Sequence, residues 1–505
     1  MNRLVAFLIL SLAWACQAPL KEPIILEELT ISEIHQAFQN GDFSAEDLVE
    51  AYLSRIEALD SSLNSISVTN PEALPTAKKL DAEFSKTRKL RPLHGIPLIV
   101  KDNINTKGLP TTAGALALAD FYPEEDAFII QKLVAAGAIV IAKSNMAEWA
   151  FSPMHSESST QGTTRNPYNL DHVPAGSSGG TGAAVAANFG TIGLGTDTGN
   201  SIRGPSSHHA LVGFRTTLGL VSREGIVPLY LRNDVVGPMC RTVEDATKVL
   251  QAIAGIDPKD PITHYSQGKT TTNYTQFLKK DGMKGARIGV FRTLSEKDTD
   301  PEISALFNQS LKDMAMLGAV IIDSVEVENF DSLRRNQWCP VFRQDLEKFL
   351  ADYVKRDTMK TLEDVIRVGT KSEYAKEGLE SFRESELPEN MVEDCGDPFT
   401  DLRRIAFREA IEKVMDSLKL DALVYPSWNN KPARIDRFQE EYLGDNSQII
   451  APHTGQPAFT ITMGFTSGNL PAGLQFLGKM WTEPTLIRLV YSYEQGTKHR
   501  KAPVF

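Results

Sequence analysis

The chain lacks any low-complexity tract or run rich in glycine, proline and serine that would mark a linker, so its 505 residues read as one large unit. It is short of positive charge. Its 53 Lys and Arg face 64 Asp and Glu, a formal net charge of -11, which excludes a general nucleic-acid binder and reads as a solubility feature. Cysteine is scarce. Cys16, Cys240, Cys339 and Cys395 form no Cys-x-x-Cys pair, so neither a zinc site nor a redox motif is supported, and the last three are expected to be buried free thiols. No metal or organic cofactor is implied. There is no GxGxxG and no phosphate loop ending in Gly-Lys-Ser/Thr, which argues against both nucleotide-binding motifs. With 42% hydrophobic and 23% charged residues, what remains is a globular protein with a sizeable core.

The N-terminus reads as an address. Arg3 precedes the apolar stretch Leu4 to Leu12, and Ala13-Trp14-Ala15 leads to Cys16. A membrane-spanning helix needs roughly twenty apolar residues, and Pro19, Lys21 and Glu22 stop this run short. Residues 1–15 are therefore expected to be a signal peptide, and 16–28 a linker. Cys16 after a small residue resembles a bacterial lipobox, which implies an acylated, membrane-anchored lipoprotein. Cleavage with release to the periplasm and an uncleaved helix are the other two readings, and all three place the folded part outside the cytoplasm.

From Ser32 the spacing of Ile34 and Phe38 predicts a helix stopped by Gly41, and a second follows with Ser44 as cap and Leu48, Ala51, Tyr52 and Arg55 at helical spacing. Beyond Gly95, apolar runs alternate with helical segments. Strands are expected at Ile96 to Val100, Ala138 to Ala142, Ala286 to Phe291, Ala319 to Val325 and Ala422 to Tyr425, with a helix near Phe128 to Ala136. This alternation predicts an α/β fold, a central mixed twisted sheet covered by helices on both faces. Residues 331–408 are charged and helix-prone, and read as a helical decoration that shapes the substrate pocket.

Three segments carry the chemistry: Gly95-Ile-Pro-Leu-Ile-Val-Lys101-Asp102-Asn103, Ala175-Gly-Ser177-Ser178-Gly-Gly180, and Gly195-Thr-Asp197-Thr-Gly-Asn200-Ser201-Ile-Arg203. The second leads into Ala183 to Ala187, so its glycines and serines suit a tight helix-entry turn rather than a flexible loop. In the third, the hydroxyl of Ser201 follows Thr198, Gly199 and Asn200, whose N–H groups could converge on one point as an oxyanion hole requires. A serine needs a base. His208 and His209 lie close in sequence but read as packing residues, whereas Lys101 ends an apolar strand that would carry it into the interior. Burial can lower a lysine pKa from about 10.4 towards 7–8, a shift of roughly 4 kcal/mol against the charged form.

Together these segments resemble the amidase signature family, whose core holds a lysine, a serine in GGSSGG and a nucleophilic serine in GTDxGGSIR. The spacing is similar too, with 76 positions between Lys101 and Ser177 (177 − 101) and 24 between Ser177 and Ser201 (201 − 177). Thr111-Thr-Ala-Gly114, Lys143-Ser-Asn-Met146, Asn166-Pro-Tyr168, Gly237-Pro-Met239, Thr454-Gly-Gln-Pro-Ala458 and Leu470-Pro-Ala-Gly-Leu-Gln475 extend it, from about Leu29 to Gln495.

The resemblance implies that residues 29–505 form one amidase domain. In it Ser201 forms the acyl-enzyme, and Ser177, after a cis peptide bond, relays protons to neutral Lys101. The N–H groups of Thr198, Gly199, Asn200 and Ser201 line the oxyanion hole. Asp197 and Arg203 are expected to hold the loop, Ser178 to serve as a turn or cap serine, and Phe151 to line the pocket. Two residues depart from the pattern: Asn200 stands for the second glycine before the nucleophile, beside the oxyanion hole, and Ala175 for the first glycine of GGSSGG. The implied activity is hydrolysis of a small-molecule or peptide amide. The alternatives are the glutaminase-type component of a tRNA-dependent amidotransferase, which export disfavours, and a catalytically silent binding protein.

Overall fold

The computed structural model describes residues 23–385 and 395–505. The expected signal peptide and Cys16 lie outside the described residues. Among the described residues no helix is long and apolar enough to cross a membrane. The first two helices, Ile31–Asn40 and Ala45–Leu63, are each opened by a capping box, Thr30 with Glu33 and Ser44 with Asp47, in which side chain and backbone satisfy each other's orphan donors. The first helix thus begins one residue before the expected Ser32, with Thr30 as its cap. The expected Gly41 stop is a left-handed C-cap.

The described residues form thirteen strands. They are β1 (Ile66–Thr69), β2 (Pro97–Lys101), β3 (Ile139–Ser144), β4 (Glu157–Ser158), β5 (Gly162–Thr163), β6 (Ile192–Asp197) and β7 (Val212–Arg215). The rest are β8 (Val235–Cys240), β9 (Arg287–Val290), β10 (Val320–Ile322), β11 (Ala422–Pro426), β12 (Ala458–Thr466) and β13 (Leu470–Leu477). Eleven of them make one mixed sheet in the order β1-β3-β2-β6-β8-β7-β12-β13-β11-β9-β10, flanked by helices, while β4 and β5 pair separately. The fold is therefore the single α/β domain that the alternating pattern predicts.

Apolar sequence accounts for the sheet's interior: every residue of β2, β3, β6 and β8 is buried. One strand departs from simple strand propensity. β6 contains Gly193 and Gly195, residues of low strand propensity, yet it sits between β2 and β8. A side chain at Gly193 would meet Thr181 and Val185 of the helix Gly179–Ala186 at 2.7 Å, so the glycine is what lets that helix lie close on the sheet.

β2 runs parallel to both β3 and β6. Lys101 and Asp197, the last residues of β2 and β6, therefore arrive at the same edge of the sheet. Residues 331–408 contribute the helices Phe342–Phe349, Leu362–Val368 and Glu373–Glu384, whose apolar side chains pack with Trp149, Ala150 and Phe121 in a core of their own. The expectation of free thiols fails for two cysteines: Cys339 and Cys395 form a disulfide with Cα atoms 6.0 Å apart, joined by Tyr230 and Val341 in a small cluster. The spacing of 56 residues held no signal for this pairing. Cys240 is buried and free.

Candidate active site

Lys101 is fully buried, and its Nζ donates to Ser177 Oγ at 2.7 Å and to Thr196 Oγ1 at 2.8 Å. Asn103 Nδ2 donates to the same threonine hydroxyl at 3.1 Å, which fixes the acceptor that orients the lysine. Burial drives the Lys101 pKa down to about 7, against the opposing influence of Asp197 and Asp234. The ammonium thus loses its proton readily beside a serine hydroxyl. Ser177 follows a cis peptide bond with Gly176, as the family pattern implies, and its carbonyl is held by the Ala147 N–H at 3.0 Å.

Ser201 is 4% exposed. It lies with Thr198, Gly199 and Asn200 on the wall of a cavity of about 470 Å³. Its Oγ donates to Asn200 Oδ1 at 3.4 Å, while Asn200 Nδ2 donates to the Pro153 carbonyl at 3.3 Å. The departure at Asn200 therefore places an acceptor beside the nucleophilic hydroxyl, and its amide nitrogen is spent on the loop at Pro153. Among the described residues, the N–H groups of Gly199, Asn200 and Ser201 have no backbone acceptor and remain available to a ligand. Gly199 leaves little room for a larger residue: a Cβ there would come within 3.2 Å of Gln448 Oε1.

The loop is pinned from beneath. Asp197 accepts from Arg203 Nε at 3.1 Å and from Arg215 Nη1 at 2.8 Å, and Arg203 Nη2 also donates to the Gly199 carbonyl at 2.6 Å. Burial alone would raise the Asp197 pKa, but the two guanidinium groups hold it at about 2. Gln475 Oε1 accepts from Arg203 Nη1 at 3.0 Å, linking this network to β13. Ser178 occupies the N-cap position of Gly179–Ala186 without capping it; its hydroxyl donates instead to the Thr196 carbonyl at 3.3 Å.

A second buried lysine, Lys143, stands one strand away and shows what distinguishes Lys101. Its Nζ donates to the Ile104 carbonyl at 2.6 Å and to Thr111 Oγ1 at 3.0 Å, with Asp102 3.7 Å off. It has a carboxylate partner and meets neither Ser177 nor Ser201, which makes it a strut between strand ends. His208 and His209 are packing residues: the His208 ring lies 4.8 Å from Trp428, and His209 Nδ1 is 2.7 Å from the Pro205 carbonyl. Burial lowers the pKa of both.

Phe151 lines the cavity, with its ring 5.0 Å from Phe342 and 5.4 Å from Phe382. Tyr230, Trp338, Tyr374 and Glu377 complete that wall. Sequence reasoning missed these residues, and also Thr196, Arg215 and Gln475. Thr196 could have been found, since it lies inside the GTD motif. Gln475 ends the stretch Leu470 to Gln475, where nothing names its partner, and the rest come from distant segments with no local pattern of their own.

A family model described as Amidase matches residues 47–487. A probable amidase of Arabidopsis thaliana is 34% identical over 517 positions, covering 99% of this chain and 96% of that protein. A glutamyl-tRNA(Gln) amidotransferase component from Microcystis aeruginosa is 34% identical over 500 positions, covering 94% and 99%. Among solved structures, the native peptide amidase of Stenotrophomonas maltophilia superposes with a TM-score of 0.84 at 34% identity, covering 95% of this chain and 99% of that one.

Proposed function

Because this chain belongs to the amidase signature family of amide hydrolases, we propose that it cleaves carboxamides outside the cytoplasm through an acyl-enzyme on Ser201. The observation that carries the chemistry is the 2.7 Å bond from buried Lys101 to Ser177, at the same sheet edge as the loop that presents Ser201. With Lys101 neutral, Ser177 takes the proton of Ser201 as it gives its own to the lysine. Ser201 Oγ bonds to the amide carbon, and the carbonyl oxygen gains negative charge opposite the free N–H groups of the 198–201 loop. As the C–N bond breaks, Ser177 returns a proton to the departing nitrogen. Water then attacks the ester by the same relay and frees the acid.

The aromatic cavity and the likeness to a peptide amidase favour the C-terminal amide of a peptide, or an arylalkyl carboxamide, as substrate. The disulfide favours an oxidising compartment. The amidotransferase reading has the Microcystis relative in its favour, but charged tRNA and the other components of such an assembly are cytosolic. Ammonia release from a panel of aliphatic, aromatic and peptide C-terminal amides, paired with Ser201→Ala, tests the chemistry. The expected result is release abolished by the substitution, with an acyl adduct on Ser201 in rapidly quenched wild-type protein. Failure to cleave any amide or ester, with no adduct, would sink this proposal in favour of a silent binding protein.

A further inference from the structure

The cavity beside Ser201 has six aromatic rings on its wall and carries one formally charged side chain among the described residues, Glu377. This glutamate lies on the helix Glu373–Glu384, which faces the cavity through Glu377, Gly378, Ser381 and Phe382. It is exposed, and among the described residues no cation pairs with it. The nearest cations along the helix are taken: Lys376 lies 3.5 Å from Glu373, and Arg383 is bound to Glu380. Across the wall, Arg232 is bound by Asp345 at 2.8 Å and Arg203 by Asp197. Within its own helix Glu377 acts on Tyr374, three residues before it and also on the cavity wall, where after burial it is the next cause of the raised hydroxyl pKa.

An unmatched carboxylate at the mouth of an aromatic cavity is suited to a substrate with an apolar stem and a cationic tip. The stem fills the space between Phe151, Phe342 and Phe382, whose ring faces also attract a positive charge. Resting on the amidase reading for the chemistry, we infer that the preferred substrates are amides whose acyl part is aromatic or long and apolar and ends in a cation, with Glu377 as the residue that selects the charge.

The test uses three N-acetyl amino-acid amides that share one stem: 4-aminomethylphenylalanine, phenylalanine and 4-carboxyphenylalanine amides. For the wild-type protein, kcat/KM is expected to fall in that order, with the cationic amide favoured over the neutral one about tenfold. That ratio should approach one in Glu377→Gln, drop below one in Glu377→Lys, and shrink with added salt. Because each ratio is taken within one variant, a general loss of folding cancels. An equal or reversed order in the wild type, or a ratio untouched by Glu377→Gln, overturns the assignment. Calorimetric binding of the same three amides to Ser201→Ala separates the two readings. A cation preference in binding with no cleavage by the wild type defeats the amidase reading and keeps the pocket assignment, whereas binding without preference defeats the pocket assignment alone.

Discussion

A lysine that is to act as a base must be neutral, and burial with no carboxylate in contact, only hydroxyls and a carbonyl, moves Lys101 towards that form. With its pKa lowered to about 7, kcat/KM is expected to rise with pH through that value and level off above it, since protonation below it removes the base. Lys101→Ala should lose about a thousandfold in kcat/KM and the limb of the profile with it. A pH-rate profile of both proteins checks this, and an unchanged limb in the variant would assign the titration elsewhere. Lys101, Ser177 and Ser201 could be read from the sequence because each sits in a motif with its own spacing. Arg215 could not: it meets Asp197 across 18 positions with nothing local to mark it, and Gln475, though inside the stretch Leu470 to Gln475, carries no sign there that its partner is Arg203, 272 positions away.

Among the elements, those that follow local rules were foreseen and those that depend on neighbours were not. Ser44 and Gly41 punctuate their helices as capping chemistry dictates. β6 escaped notice because its glycines answer to a helix packed on the sheet, and the long pair β12 and β13 was visible only as motif fragments around Thr454 to Ala458 and Leu470 to Gln475. The disulfide belongs to this scale as well. It ties the stretch before Phe342–Phe349 to the stretch before Leu402–Ser417, and Cys339 itself lines the cavity. Closing a loop of 56 residues restricts the unfolded chain by about 4 kcal/mol on the chain-entropy account. Reducing agent, or Cys339→Ser with Cys395→Ser, is accordingly expected to lower the Tm measured by calorimetry, and a Tm indifferent to both would show that the bridge adds no stability.

At the scale of the whole molecule, the alternation of apolar runs was enough to identify an α/β sheet, while its strand order, set by long-range pairing, lay beyond any local pattern. The proposed anchor is a property of the same scale, because one residue, Cys16, would decide where the entire enzyme resides. Fractionation of a bacterial host is expected to find the wild-type chain with the membranes and Cys16→Ala in the soluble periplasm, and cytosolic recovery of the wild type would refute export. The parallel run of β2 beside β6 has one more consequence. It seats Lys101 on a strand end, with Ser177 and Ser201 in turns close by, all within the first two hundred or so residues, whereas much of the wall that meets the substrate is built by helices from Phe342 to Glu384. Inheritance can therefore act on the two separately: descendants of this chain could exchange that wall as a cassette and acquire new diets while the machinery of bond cleavage passes down unaltered.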